Sequence, residues 1–244
     1  MKTALFVATA AASVVASADA GFAGFVAFSR NVGANTVIDV FAAVDNAGDK
    51  FLNVYNTVSN GVFVQKAGLA SKTWKPDAAN FTSTRNVSDD SFMTAGTYSG
   101  GAYGGEYYAS GNTNGDPNFT GNSWNASPAS LAATTIPNLA GWYTGDPPSV
   151  DNNAELLSGA VAGGTRVDGT GAAGKAYGIW CAHLVVAGND KLIGTDFTFS
   201  AFTSIKDVGG AVSQASSSFV AIPAPGAIAL VGLAGLAAGR RRRA

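Results

Sequence analysis

The chain has 244 residues, 47% hydrophobic and 13% charged, with 31 glycines, a net charge of −1 and a single cysteine, Cys181. That balance disfavours charged amphipathic helices, suits short strands joined by many turns, and excludes an intrachain disulfide. With Lys2, Asp19 and Arg240 to Arg243 set aside, ten basic residues stand against fifteen acidic ones, a net of −5, and this argues against nucleic acid as a partner, which needs clustered Lys and Arg.

Residues 1–20 read as a cleavable signal peptide. Lys2 supplies the positive start, Ala4 to Val15 the apolar stretch, and Ala18-Asp19-Ala20 the small-x-small site before Gly21. Further on, Thr36 to Val44 places Ile38, Val40, Ala42 and Val44 on one face of a strand, with Val37 and Phe41 making the other face partly apolar, as in an inner strand. Lys50 to Val58 alternates again, and Asn46-Ala-Gly-Asp49 between the two runs has hairpin-loop chemistry, so the pair is expected as a β-hairpin. Val62 to Gln65 adds a short third run.

Residues 96–122 change character. Eight glycines stand there among Tyr98, Tyr103, Tyr107 and Tyr108, a composition of irregular loops or bulged edge strands and the expected functional surface. Pro128, Pro137, Pro147 and Pro148 exclude a long helix from the middle of the chain. Tyr177 to Val186 is almost continuously apolar, a strand covered on both faces, and Phe197 to Ile205 alternates as a half-buried strand. Gly209-Gly210 and Ser216 to Ser218 read as a flexible linker.

No catalytic set emerges. Cys181 and His183, at i and i+2 on a strand, are expected on one face, yet their apolar neighbours disfavour a thiolate and an imidazolium. Asn112, Asn114, Asp116 and Asn118 offer oxygen atoms to a hard cation with too little charge to hold one, so no metal and no cofactor is expected. A glycosidase pairing of Glu106 with Asp116 or Asp146 lacks any feature that sets the separation of the carboxylates. Tyr103, Tyr107, Tyr108, Trp124 and Trp142 are the candidate ligand-binding residues, because their rings combine an apolar body with a polar tip suited to stacking on sugars.

The chain ends in Pro223-Ala224-Pro225, an apolar run from Gly226 to Gly239, then Arg240, Arg241, Arg242 and Arg243 before Ala244. Prolines ahead of a short apolar helix and arginines after it suit a membrane segment whose basic end stays inside. This order resembles the PEP-CTERM sorting tail, in a Pro-Ala-Pro variant. The resemblance implies an exosortase-type processing enzyme as a partner and a membrane association through the tail; it covers about 22 residues.

The reading is therefore an all-β chain: a signal peptide (1–20), an antiparallel β-sandwich of jelly-roll or immunoglobulin-like type (21–206), a Gly/Ser-rich linker (207–221), and a sorting tail (222–244) forming a C-terminal transmembrane helix. The expected localisation is exported, at the cell envelope or surface or extracellular, with transient membrane anchoring. The expected role is structural or adhesive rather than enzymatic, the alternatives being a module that binds extracellular polysaccharide and, behind it, an extracellular hydrolase.

Overall fold

The computed structural model describes residues 21–66, 74, 76, 84–99, 107–109, 118–120, 134–144 and 154–219. Among the described residues, thirteen strands run in chain order: β1 Phe22–Val32, β2 Asn35–Val44, β3 Lys50–Ser59, β4 Phe92–Met93, β5 Thr97–Ser99, β6 Tyr107–Ala109, β7 Asn118–Phe119, β8 Ala140–Tyr143, β9 Glu155–Leu156, β10 Thr165–Asp168, β11 Tyr177–Ala187, β12 Phe199–Lys206 and β13 Val212–Phe219. A short helix, α1 Leu157–Ala160, follows β9. The strands form a first sheet ordered β10-β1-β2-β11-β4, with β9 also paired to β11, a second sheet ordered β13-β12-β3-β8-β7, and a small pair β5-β6.

The core between the two large sheets follows the period-2 rule. Ile38, Val40, Ala42 and Val44 of β2 meet Phe51 and Val54 of β3, Trp142 of β8, and Phe199, Ala201 and Ile205 of β12, all buried. Each such aliphatic or aromatic side chain contributes about 1.5–3 kcal/mol on leaving water. β2 and β11 are covered on their other face as well, where Val26, Phe28, Phe41, Phe92, Leu157, Ala172 and Trp180 build a second cluster. This is why both strands read as almost continuously apolar.

The expected β2–β3 hairpin does not form. Both edges of β2 are taken, by β1 and by β11, and β3 pairs instead with β12 and β8. The Asn46–Asp49 turn is present, with Asp49 N donating to Asn46 O at 3.2 Å, but it passes the chain from one sheet to the other. Buried Asp49 holds that crossing by accepting from Asn46 N at 3.1 Å and from Val208 N at 3.2 Å. The true hairpin is β1–β2, closed by a two-residue turn at Gly33, whose φ of 63° lies in the left-handed region that glycine enters without strain.

The linker expected at 207–221 is also corrected, because Val212–Phe219 is a full strand paired to β12. It closes the seam between the sheets. Ser217 Oγ accepts from Phe25 N at 3.0 Å and donates to Thr170 O at 2.9 Å, and Ser213 Oγ accepts from Phe22 N at 3.4 Å. These hydroxyls serve the start of β1, where β10 pairs only from Val26 onwards.

The fold class and localisation need a further correction. Among the described residues no helix is long and apolar enough to cross a membrane, and the helix they contain, α1, has four residues. The architecture is all-β with two main sheets, and the expected transmembrane helix and transient membrane anchoring have no element in it to carry them. Residues 222–244, on which those expectations stood, lie outside the described residues, as do residues 1–20.

Candidate functional site

Cys181 and His183 do not share a face. In the β2–β11 ladder Trp180 pairs with Phe41 and Ala182 with Val40, so Cys181 is the extra residue of a β-bulge. The bulge turns Cys181 and Ala182 both towards the inter-sheet core and His183 to the opposite side of the sheet. There the Cys181 thiol donates to Val40 O at 3.2 Å, and burial pushes it well above the ordinary thiol range. A buried thiol held protonated lacks the thiolate that nucleophilic attack and metal ligation use.

His183 sits in the outer cluster, fully buried, its ring stacked on Phe92 at 4.6 Å and edge-on to Trp180 at 5.9 Å. Its Nδ1 lies 2.8 Å from Asp39 Oδ1 and its Nε2 lies 2.8 Å from Val87 O, so both ring nitrogens face acceptors. The other carboxylate oxygen of Asp39 accepts from Arg30 Nη1 at 2.5 Å. Burial alone raises the Asp39 carboxyl; the charge and hydrogen bond of His183 and the charges of Arg30 and Arg85 outweigh it, leaving a net shift below the ordinary value.

A His–Asp pair is the orienting half of a hydrolytic triad. Here it has no catalytic outlet, since Nε2 is committed to a backbone carbonyl and neither side chain has any exposure. Arg85 extends the network. It reaches Glu155 Oε1 at 2.5 Å, Thr97 Oγ1 at 2.9 Å and the Ala160 carbonyl, and its guanidinium lies 4.7 Å from the Trp180 ring centroid. Arg30 also donates to the Arg85 carbonyl and, at 3.1 Å, to Asn86 Oδ1. The network fastens residues 85–87 and 157–160 over the outer face of the first sheet, beside its edge strands β4 and β9.

Two adjoining clefts border this covering layer, one of about 750 Å³ lined in part by Arg30, Asn31, Asn86 and Asp190, the other of about 480 Å³ lined in part by Arg85, Asn86 and Glu155. The charged groups in their walls are engaged by partners: Arg30 with Asp39 and Arg85 with Glu155 in the interior, and Asp190 with Asn31 Nδ2 at 2.8 Å at the surface. No group of three or more His, Cys, Asp or Glu side chains capable of holding a metal occurs among the described residues.

The outer face of the second sheet differs. Tyr55 and Phe202 are register partners on β3 and β12, with ring centroids 5.4 Å apart and planes inclined by 27°. Phe202 is 40% exposed and Tyr143 42%. Of the candidate ligand-binding residues, Trp142 is corrected: it is fully buried in the inter-sheet core and its Nε1 donates to Thr94 O at 3.2 Å. Its neighbour Tyr143 points outward instead. Tyr107 and Tyr108 lie on β6, paired with β5, and their side chains are outside the description. Tyr103, Trp124, Glu106, Asn112, Asn114, Asp116, Asp146, Pro223, Ala224, Pro225 and Arg240 to Arg243 lie outside the described residues.

No family model matches this chain, and no curated protein or solved structure matches it either.

Proposed function

We propose that the two-sheet domain is a structural or adhesive module acting through a surface rather than through a reactive centre. One contrast supports the reading: among the described residues, the groups most capable of chemistry, Cys181, His183 and Asp39, are wholly buried and bonded to one another or to backbone, while a neighbouring sheet presents aromatic rings outward. The sequence resemblance at Pro223, Ala224, Pro225 and the arginine cluster supports a second, separate element of the proposal, a C-terminal sorting signal processed by an exosortase-type enzyme.

Two measurements test these elements. Full-length purified protein is mixed with insoluble matrix material from cells that make it, and pelleted. Saturable retention without release of soluble products is expected; protein left entirely in the supernatant, or release of cleaved matrix, overturns the module reading. Intact-mass analysis of the native protein tests the tail: loss of roughly the final 20 residues is expected, and a mass that retains them removes the processing proposal.

A further inference from the structure

The outer ring pair of the second sheet, Phe202 exposed and Tyr55 half-buried, borders a groove with a defined chemistry. The groove measures about 290 Å³ and is lined by Phe202, Asn56, Thr170, Ser200, Ser216 and Ser218, among others, close to the lower end of the ~300–1,000 Å³ common for small-ligand clefts. Its walls carry hydroxyls, an amide and an aromatic ring, and no ionisable side chain. Tyr55 stands against Phe202 and donates its hydroxyl to Gln214 Oε1 at 3.3 Å.

The backbone shapes this wall. Between the pairs Phe202–Tyr55 and Ser200–Val58, β3 has two residues, Asn56 and Thr57, where β12 has only Ala201. The extra residue makes a bulge, and Asn56 occupies it with φ 52°, a left-handed conformation uncommon outside glycine but tolerated by asparagine. Such bulges re-aim side chains. Thr57 is buried, whereas Asn56 is exposed at the groove. Tyr143, paired with Asn53 two residues before Tyr55, carries a further exposed ring on the same face.

We propose that this groove binds a neutral carbohydrate chain. The inference rests on the adhesive reading and names its ligand class. A pyranose ring has an apolar C–H face and a rim of hydroxyls, which matches an aromatic ring set among Ser, Thr, Asn and Gln side chains. An anionic ligand is a poor fit, because Arg or Lys would be needed to hold it, and the lysines of these strands, Lys50 and Lys206, are paired four residues beyond Phe202. A second copy of the chain is a poor fit too, since homodimer interfaces are more apolar than a groove walled by serines.

The test is titration calorimetry of the full-length protein with cellohexaose, mannohexaose and laminarihexaose, and with oligogalacturonate as the anionic comparator. Saturable binding to at least one neutral hexasaccharide is expected, weakened about tenfold or more by Phe202→Ala and by Tyr55→Ala, and unchanged by Leu139→Ala on another exposed position. The proposal is overturned by no binding to any neutral hexasaccharide, by binding that the two ring variants leave intact, by preference for oligogalacturonate, or by a dilution-sensitive dimer that Phe202→Ala dissolves. Matrix retention of the wild-type protein with no hexasaccharide binding sinks the carbohydrate proposal alone; absent retention sinks the adhesive reading itself.

Discussion

The outer faces of the two sheets solve the same problem in opposite ways. On the first sheet, β2 and β11 direct Phe41, Trp180, His183 and Asp39 outward, and residues 85–87 and 157–160 fold over them. A histidine, an aspartate and two arginines inside that layer are then tolerable because each is paired, and because the carbonyls of Val87, Arg85 and Ala160 each take one further donor. The second sheet carries Tyr55, Phe202 and Tyr143 outward with serines, asparagine and glutamine around them, and these rings stay accessible.

The largest effect that separates the faces is expected from Asp39→Ala. It strands Arg30 and His183 without their carboxylate inside the layer, and removal of one partner of a buried pair costs about 3–5 kcal/mol. Urea unfolding measures it, and a loss below about 1 kcal/mol would break the claim that the network holds the covering layer down.

The same residue predicts an acid limb. The Asp39 carboxyl is lowered in the fold from an ordinary value of 3.8, so its stabilising contribution is complete above that value and is lost as pH falls below it through the folded value. Stability of the wild-type protein should drop with acid in that window, and Asp39→Asn should flatten the drop. An Asn variant with an unchanged acid limb would assign the effect to other groups.

A smaller loss is expected at the seam. Ser217→Ala removes the acceptor of Phe25 N and the donor to Thr170 O, leaving the buried Phe25 N–H without its partner at a cost of about 1–3 kcal/mol. If β13 were a tether rather than a strand, this substitution would be neutral in the same unfolding assay.

The smallest effects are expected on the open face and at the thiol. Phe202→Ala should cost no more than about 1 kcal/mol, the scale of a cross-strand aromatic pair, and a much larger loss would show the ring to be part of the core rather than presented. Cys181 should resist a disulfide reagent in native buffer and react on unfolding, since it is buried and its thiol is held protonated. Labelling of the folded protein at the unfolded rate would disprove that burial.

Two strands of the first sheet, β2 and β11, were legible in advance from their apolar residues. His183 stood out within its apolar run, whereas Asp39 within Val-Ile-Asp-Val-Phe carried no signal of its own. Nothing local said that the two were partners to each other. The open face was less legible still: Tyr55 and Phe202 are far apart in sequence and meet only because β3 lies beside β12. The aromatic candidates were chosen by composition, and Trp142 and Tyr143 show the limit of that choice, one in the core and one outside although adjacent in the chain. β1 was passed over because Phe22 to Val32 lies against the small-residue stretch expected to be cleaved, and β13 because serines resemble a linker until their hydroxyls have backbone to bond.

What the amino-acid order determined by itself is strand character: alternation in Thr36–Val44 and Phe197–Ile205 and the unbroken apolar run of Tyr177–Val186 are properties of side chains two residues apart, and they dictate which face of a strand leaves water. Only the tertiary structure decided which strand lies beside which, that the Asn46–Asp49 turn crosses between sheets, and that one extra residue at Cys181 sends it and His183 to opposite sides. The reason is physical. Burial of a face is a local demand, whereas pairing and bulges are settled by the competition of all strands for the same edges and the same core.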